Sequence, residues 1–153
     1  MQIMTSEGIR LVKASYANVA AEPRRLAARF YHELFTAAPN LRRLFPQDLT
    51  SLQGHFEAAL ALVVRNLDEV DALRESLRDL GAQHVHWGAR PEDYVTARES
   101  LIAAIRSLSS DWTAAIERHW RVAITAIVVP MIEGAAVHTA LVAEQLADEA
   151  VLD

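Results

Sequence analysis

The sequence predicts an all-α chain, and three observations carry that reading. Apolar residues recur at three- and four-residue intervals nearly throughout, no stretch keeps the strict alternation of a half-buried strand, and only five Gly and five Pro interrupt the pattern. At 153 residues and 52% hydrophobic content, one domain is expected, large enough to bury roughly 68 to 70% of its unfolded surface. No internal repeat, linker or low-complexity segment divides it.

The elements follow in order. Thr5 or Ser6 is placed to cap a first helix with the stripe Ile9, Val12, Tyr16 and Val19. Pro23, suited to a first turn, opens a second helix carrying Leu26, Phe30 and Leu34. Pro39 opens a short turn that ends near Phe45-Pro46. Thr50 or Ser51 then caps a long helix through Leu52, Phe56, Ala59, Leu60, Val63 and Leu67. The next helix carries Val70, Leu73, Leu77 and Leu80 and stops between His86 and Gly88, where glycine suits a C-terminal cap. Pro91 starts a helix with Tyr94, Leu101, Ile102, Ile105 and Leu108. Asp111 is expected to cap the last helix from Trp112, and Pro130 and Gly134 to kink or weaken it. Residues 136–153 read as a helical extension or a frayed tail.

Composition excludes several classes of function. Without cysteine there is no disulfide framework, thiolate nucleophile or Cys-ligated zinc or iron–sulfur site. A net charge of −5 provides no overall attraction to nucleic acid. The longest apolar stretches, Ala58 to Val64 and Val122 to Ile132, fall short of the roughly 20 residues a spanning helix needs. Met1 to Gly8 lacks the basic and apolar regions of a signal peptide. A cytoplasmic protein with no membrane and no nucleic-acid partner is expected.

Among the six histidines, placement singles out one. With Val70 at zero and about 100° per residue, Leu73, Leu77 and Leu80 fall at about 300°, 340° and 280°; His84, at about 320°, lies inside that stripe, and His86, at about 160°, outside it. A histidine facing the core must satisfy its second nitrogen or bind something through it. Read from its own helix alone, His84 is either a satisfied core histidine or a ligand.

His84 stands in the pattern Leu80-Gly81-x-x-His84-x-x-x-Gly88-x-x-Pro91-x-x-Tyr94, with Phe30-Tyr31-x-x-Leu34-Phe35 and Leu44-Phe45-Pro46 upstream. Over residues 5–135 this combination resembles the bacterial single-domain globins, similar to the haem domain of flavohaemoglobins and to Vitreoscilla-type haemoglobins. The resemblance implies a globin fold, three helices laid over three around one haem b. It implies His84 as the proximal iron ligand, its other nitrogen giving its hydrogen to a backbone carbonyl or side chain. It also implies Phe45 flat on the porphyrin and Tyr31 as a distal hydroxyl donating to bound dioxygen. Beside these stand plainer readings: Phe45 as a core residue at a helix corner, and Tyr31 as core filler with its hydroxyl at the rim.

The distal wall departs from the family. Aligning Ala58-Ala59-Leu60 puts Leu52 where relatives commonly carry glutamine, His55 where they carry lysine and Phe56 where they carry leucine. Leu52 and Phe56 lie near the centre of the helix stripe, with Gln53 and His55 on its flanks, so either Leu52 or Gln53 faces the iron. His55 has three readings: a propionate partner, a solvent-exposed residue, or a sixth iron ligand. Tyr94 matches a proximal tyrosine that relatives pair with a glutamate; here the matching place is Ala135 and the nearest acid Glu133.

The resemblance therefore implies a haem globin that binds dioxygen, nitric oxide or carbon monoxide, in oxygen transport or in nitric oxide dioxygenase or weak peroxidase chemistry. Tyr31 and Tyr94 are the candidate catalytic groups, and a separate reductase is the expected electron source. Two alternatives stand beside it: a haem-based gas sensor acting through a partner, and a haem-free interaction module with a globin-like shape. Monomer and homodimer are both open; Leu141 to Leu152 are expected to pack on their own domain in preference to a second copy.

Overall fold

The computed structural model describes residues 4–152; Met1–Ile3 at the head of the segment read for a leader, and Asp153 at the end of the extension, lie outside the described residues. The described residues form six α-helices: α1 (Ser6–Val19), α2 (Arg25–Ala37), α3 (Thr50–Arg65), α4 (Arg74–His86), α5 (Pro91–Leu108) and α6 (Ala114–Leu152). Two 3₁₀ segments, Pro39–Leu44 and Leu67–Leu73, lie between them. α4 packs along α6, α2 along α5, and α1 against α6, which lays three helices across three.

Each helix start shows where its unpaired N–H groups go. Thr5 Oγ1 accepts from Gly8 N at 3.0 Å, the expected cap. α2 begins at Arg25, two residues after Pro23, because Arg24 takes a left-handed φ of 66° and has no capping side chain of its own. The Glu57 carboxylate of α3 accepts from Arg24 N and Ala27 N instead, at 2.6 and 3.2 Å. At α3, neither Thr50 nor Ser51 caps. Asp48 accepts from Thr50 N at 3.0 Å and from Thr50 Oγ1 at 2.7 Å, and these bonds hold its carboxyl below the usual range. Val70 and Leu73 fall in the second 3₁₀ segment, so α4 is shorter than its apolar spacing predicts. It ends at Trp87-Gly88, with Gly88 at φ 97°. Pro91 opens α5 as expected, with Arg90 N donating to Asp93 at 2.9 Å. α6 is capped by Thr113, whose Oγ1 accepts from Ile116 N at 3.1 Å, and starts beyond Asp111 and Trp112.

α6 is one continuous helix of 39 residues, and neither Pro130 nor Gly134 ends it. The reason is tertiary. A Cβ built on Gly134 would run into the Arg78 carbonyl, and one built on Gly81 into the Met131 carbonyl. The two glycines thus let α4 and α6 cross backbone against backbone, and this contact overrides local propensity. Continuity also corrects the length argument: α6 contains an 18-residue window of mean hydropathy 1.7, long and apolar enough by length and composition to cross a membrane. Its first half is the floor of the core, with Ile116, Trp120, Ala123, Ile124 and Met131 buried. From Ala136 to Glu149 the side chains, the half-buried His138 apart, turn out to solvent: Leu141 is 60% and Leu146 61% exposed, against the expectation that this stretch packs on its own domain.

Trp120, Leu26, Ile102, Ile105, Val12 and Val19 are the largest fully buried side chains. Trp120 Nε1 donates to Ser15 Oγ at 2.9 Å, which satisfies the indole N–H and fixes α1 against α6.

Candidate functional site

His84 lies in the last turn of α4 and is half-buried. Its Nδ1 is 2.7 Å from the carbonyl oxygen of Leu80. A carbonyl only accepts, so Nδ1 carries the hydrogen and donates, and Nε2 keeps its lone pair. Burial pushes the pKa down, opposed in part by the Leu80 bond, which raises it. The ring is therefore neutral at pH 7, the form that can donate electrons to a metal. The Trp87 ring lies 5.1 Å from the imidazole and that of Tyr94 6.2 Å. His86 is exposed, as the wheel placed it.

Tyr94 is buried and its hydroxyl has no hydrogen-bond partner among the described residues. Burial raises its pKa first, and the charge of Asp93 adds to this. Glu133 does not serve it: that carboxylate pairs with Arg74 at 2.6 Å, while the position matching the relatives' glutamate is the buried Ala135. Among the described residues, Tyr94 therefore has no glutamate partner.

A second wall is aromatic. Tyr31 on α2 contacts Phe30, Phe35, Phe45 and Phe56, its ring centre 5.6 Å from that of Phe45 in an edge-on arrangement and 5.9 Å from that of Phe56. Phe56 stacks on Phe30 at 4.5 Å. Desolvation pushes the Tyr31 hydroxyl up to about 12, so it stays protonated and able to donate across the physiological range. Phe45 is presented by a corner that Arg42 holds, donating to the carbonyls of Phe45, Pro46 and Gln47 at 3.3, 2.8 and 2.9 Å. Leu44, beside Phe45, reaches to within contact of Gly88, bringing this corner to the turn that follows His84. In the first turns of α3, Leu52 and Gln53 are half-buried, Leu52 packing against the core, and His55 is exposed.

Sequence reasoning missed Arg42, Trp87 and Glu57. An arginine two residues before Leu44-Phe45-Pro46 was a signal for the first. A Trp three residues after His84 was one for the second.

The donor chemistry fits an iron porphyrin. A neutral imidazole with a free Nε2 and an aromatic wall with one unionised hydroxyl are features that suit such a group.

The comparisons agree on the family. Residues 28–131, more than half the chain, match the globin family model. The flavohemoprotein of Rhizobium meliloti is 27% identical over 112 residues, covering 71% of this chain and 28% of that protein. The chain thus spans little more than a quarter of the flavohemoproteins it matches. Leghemoglobin-1 of Lupinus luteus is 26% identical over 141 residues, covering 80% of this chain and 90% of its own. In fold, an engineered carbene transferase made from a provisionally assigned nitric oxide dioxygenase of Rhodothermus marinus superposes with a TM-score of 0.81 at 23% identity, covering 92% of this chain and 99% of that one. The chain belongs to the globin family, whose members hold haem and bind diatomic gases through it.

Proposed function

We propose that this globin holds haem b through His84 Nε2 and binds dioxygen and nitric oxide on the face lined by Tyr31, converting nitric oxide to nitrate with an electron from a separate reductase. The observation that carries the reading is the His84–Leu80 hydrogen bond, which fixes the tautomer and leaves Nε2 available. When bound, haem supplies the metal centre for reversible gas ligation and one-electron chemistry. Everything else falls to the chain. Leu80 orients the imidazole, Trp87 and Tyr94 flank it, and Phe45 offers a flat apolar surface to the ring.

Tyr31 is the distal donor in this reading, and Leu52 with Phe56 excludes water from the α3 side. Gln53, on the flank of the helix stripe, is the alternative residue over the iron, second to Leu52, which packs against the core. His55 is exposed on α3, and in this reading it serves a propionate or faces solvent in preference to ligating the iron. The overall conversion balances as nitric oxide plus dioxygen plus one electron giving nitrate. Support for it comes from the flavohemoprotein relatives and from the solvent-shielded Tyr31 hydroxyl. With Glu133 paired to Arg74, Tyr94 has no hydrogen-bond partner among the described residues to draw it into polarising the proximal side, which argues against strong peroxidase activity.

The test is optical and kinetic. Wild-type protein loaded with haem is expected to show a Soret band that His84→Ala abolishes or shifts strongly while the far-ultraviolet helix signal persists. An unchanged Soret band in the variant removes His84 from the role. Nitrate formed in proportion to nitric oxide consumed, with turnover sustained by a reductant, supports the enzymatic reading. Tight gas binding without turnover replaces it with a carrier or sensor.

A further inference from the structure

Trp87 joins the His84 imidazole to solvent. Its ring centre lies 5.1 Å from that of His84, an aromatic contact, and the residue is 56% exposed. The other two tryptophans are placed differently: Trp120 is fully buried and bonded to Ser15, and Trp112 is half-buried just before α6. Beside Trp87 is a cavity of about 250 Å³, lined also by Ala82, Gln83 and His86 of α4 and by His138 of α6. That is below the roughly 300 Å³ at which pockets for drug-sized ligands begin, and it suits a single ring. Its walls are largely apolar, with two imidazoles and an amide able to accept a hydrogen bond.

The second aromatic neighbour of His84 is Tyr94, at 6.2 Å, buried and with no hydrogen-bond partner for its hydroxyl among the described residues. A phenol that gives up an electron becomes a strong acid and must shed its proton at once, and at Tyr94 no described group takes it. An indole that gives up an electron is a far weaker acid, and Trp87 faces water. The chain has no cysteine on which an oxidising equivalent could settle instead. Resting on the reading of His84 as haem ligand, we infer that Trp87 relays oxidising equivalents from the haem to the surface, and that the cavity beside it holds a single-ring phenol as electron donor.

Hydrogen peroxide is the oxidant. Its O–O bond breaks, and it takes up two electrons and two protons to leave two waters. Each electron comes from a phenol in the cavity by way of Trp87 and His84, and each phenol's O–H proton leaves to His138 or to water, so two phenols become two phenoxyl radicals. Trp87 sets where the oxidising equivalent goes; the rate of O–O cleavage is set at the haem and stays low without a polarised proximal ligand. With no phenol present the loss stays on Trp87, whose indole gives its N–H proton to water and adds dissolved dioxygen at a ring carbon.

The test is peptide mass spectrometry of the full-length haem-loaded protein after exposure to hydrogen peroxide. Added oxygen is expected on Trp87 and not on Trp112 or Trp120, and 2-methoxyphenol should spare Trp87 while itself being oxidised. Trp87→Phe should keep the Soret band and lower the rate of 2-methoxyphenol oxidation at least about tenfold, and Ala82→Leu, which narrows the cavity, should raise KM for that phenol about tenfold with Trp87 still oxygenated in its absence. Oxygen on Trp87 to the same extent in haem-free protein overturns the inference, because exposure alone then explains it. So does an intact Soret band with Tyr94 or Tyr31 oxidised and Trp87 untouched, or wild-type phenol oxidation in Trp87→Phe. A Soret band that His84→Ala leaves unchanged fails the reading of His84 itself, and the relay with it.

Discussion

Glu57 of α3 accepts hydrogen bonds from Arg24 N at 2.6 Å and Ala27 N at 3.2 Å, so the first turn of α2 is capped by a carboxylate from another helix. Two backbone donors that a local Ser or Asp would ordinarily satisfy depend on a contact 30 residues or more away in sequence. Glu57→Ala is expected to lower stability by about 1 kcal/mol, read as a lower urea midpoint with unchanged slope. Glu57→Gln, which keeps one acceptor oxygen, should recover part of the loss. An Ala variant as stable as wild type would show that water replaces the cap without cost.

The glycines of the chain divide by what surrounds them. Gly81→Ala or Gly134→Ala forces a methyl group into the facing backbone carbonyl and should destabilise by roughly 1 to 3 kcal/mol or more. Gly54, also inside a helix, has nothing within 4 Å of a built Cβ, and Gly54→Ala should stabilise by about 0.5 to 1 kcal/mol. Thermal melts of the three variants provide the comparison. Equal shifts in all three would refute the crossing as the cause.

If Tyr31 donates to bound dioxygen, Tyr31→Phe removes one hydrogen bond worth roughly 1 to 1.5 kcal/mol and should speed dioxygen dissociation about tenfold. Stopped-flow displacement by carbon monoxide measures this. Because burial holds the hydroxyl up to about 12, the wild-type rate should stay flat between neutral pH and the mildly alkaline range. An unchanged rate in the Phe variant excludes the role.

Arg121 donates twice to Glu99, at 2.6 and 3.0 Å, and these bonds hold the Glu99 carboxyl below the usual carboxylate range. The folded pKa lies below the unfolded one. The pair therefore adds stability above the ordinary carboxylate pKa and loses it as pH falls through the lower folded value. Both side chains are partly exposed, so solvent screening keeps the contribution under about 1 kcal/mol. Glu99→Gln should flatten the stability profile in that acid window and leave the neutral plateau nearly unchanged. A parallel profile in the variant would mean that the ion pair carries no net linkage.

The helices were legible in the sequence where the cause is local. Pro39 and Pro91 start their elements because a residue without an N–H fits where the donor has no partner. Three- and four-residue spacing turned His84 inward and His86 outward. Where the cause is distant, it was not legible. Asp111 and Thr50 read as caps, yet Thr113 and Asp48 serve, because short polar residues cluster at each break and only the chain path chooses among them. Gly134 read as a break because its partner, the backbone at Arg78, belongs to another helix. At the site, the pairing of Glu133 with Arg74 depends on a contact 59 residues away, and no local pattern reports it. The exposure of Leu141 and Leu146 follows from α6 outrunning the domain, which depends on where the other five helices end.

The crossing of α4 on α6 also sets how the helix bearing His84 can travel. With the two backbones in contact and no side chain between them to compress or re-rotamer, α4 cannot plunge toward α6; only sliding along its axis or rolling about the glycine pivot remains. Any tug on the imidazole would be converted into sideways displacement of Trp87 and the turn at Gly88, much as a lever on a fixed fulcrum swings its free arm.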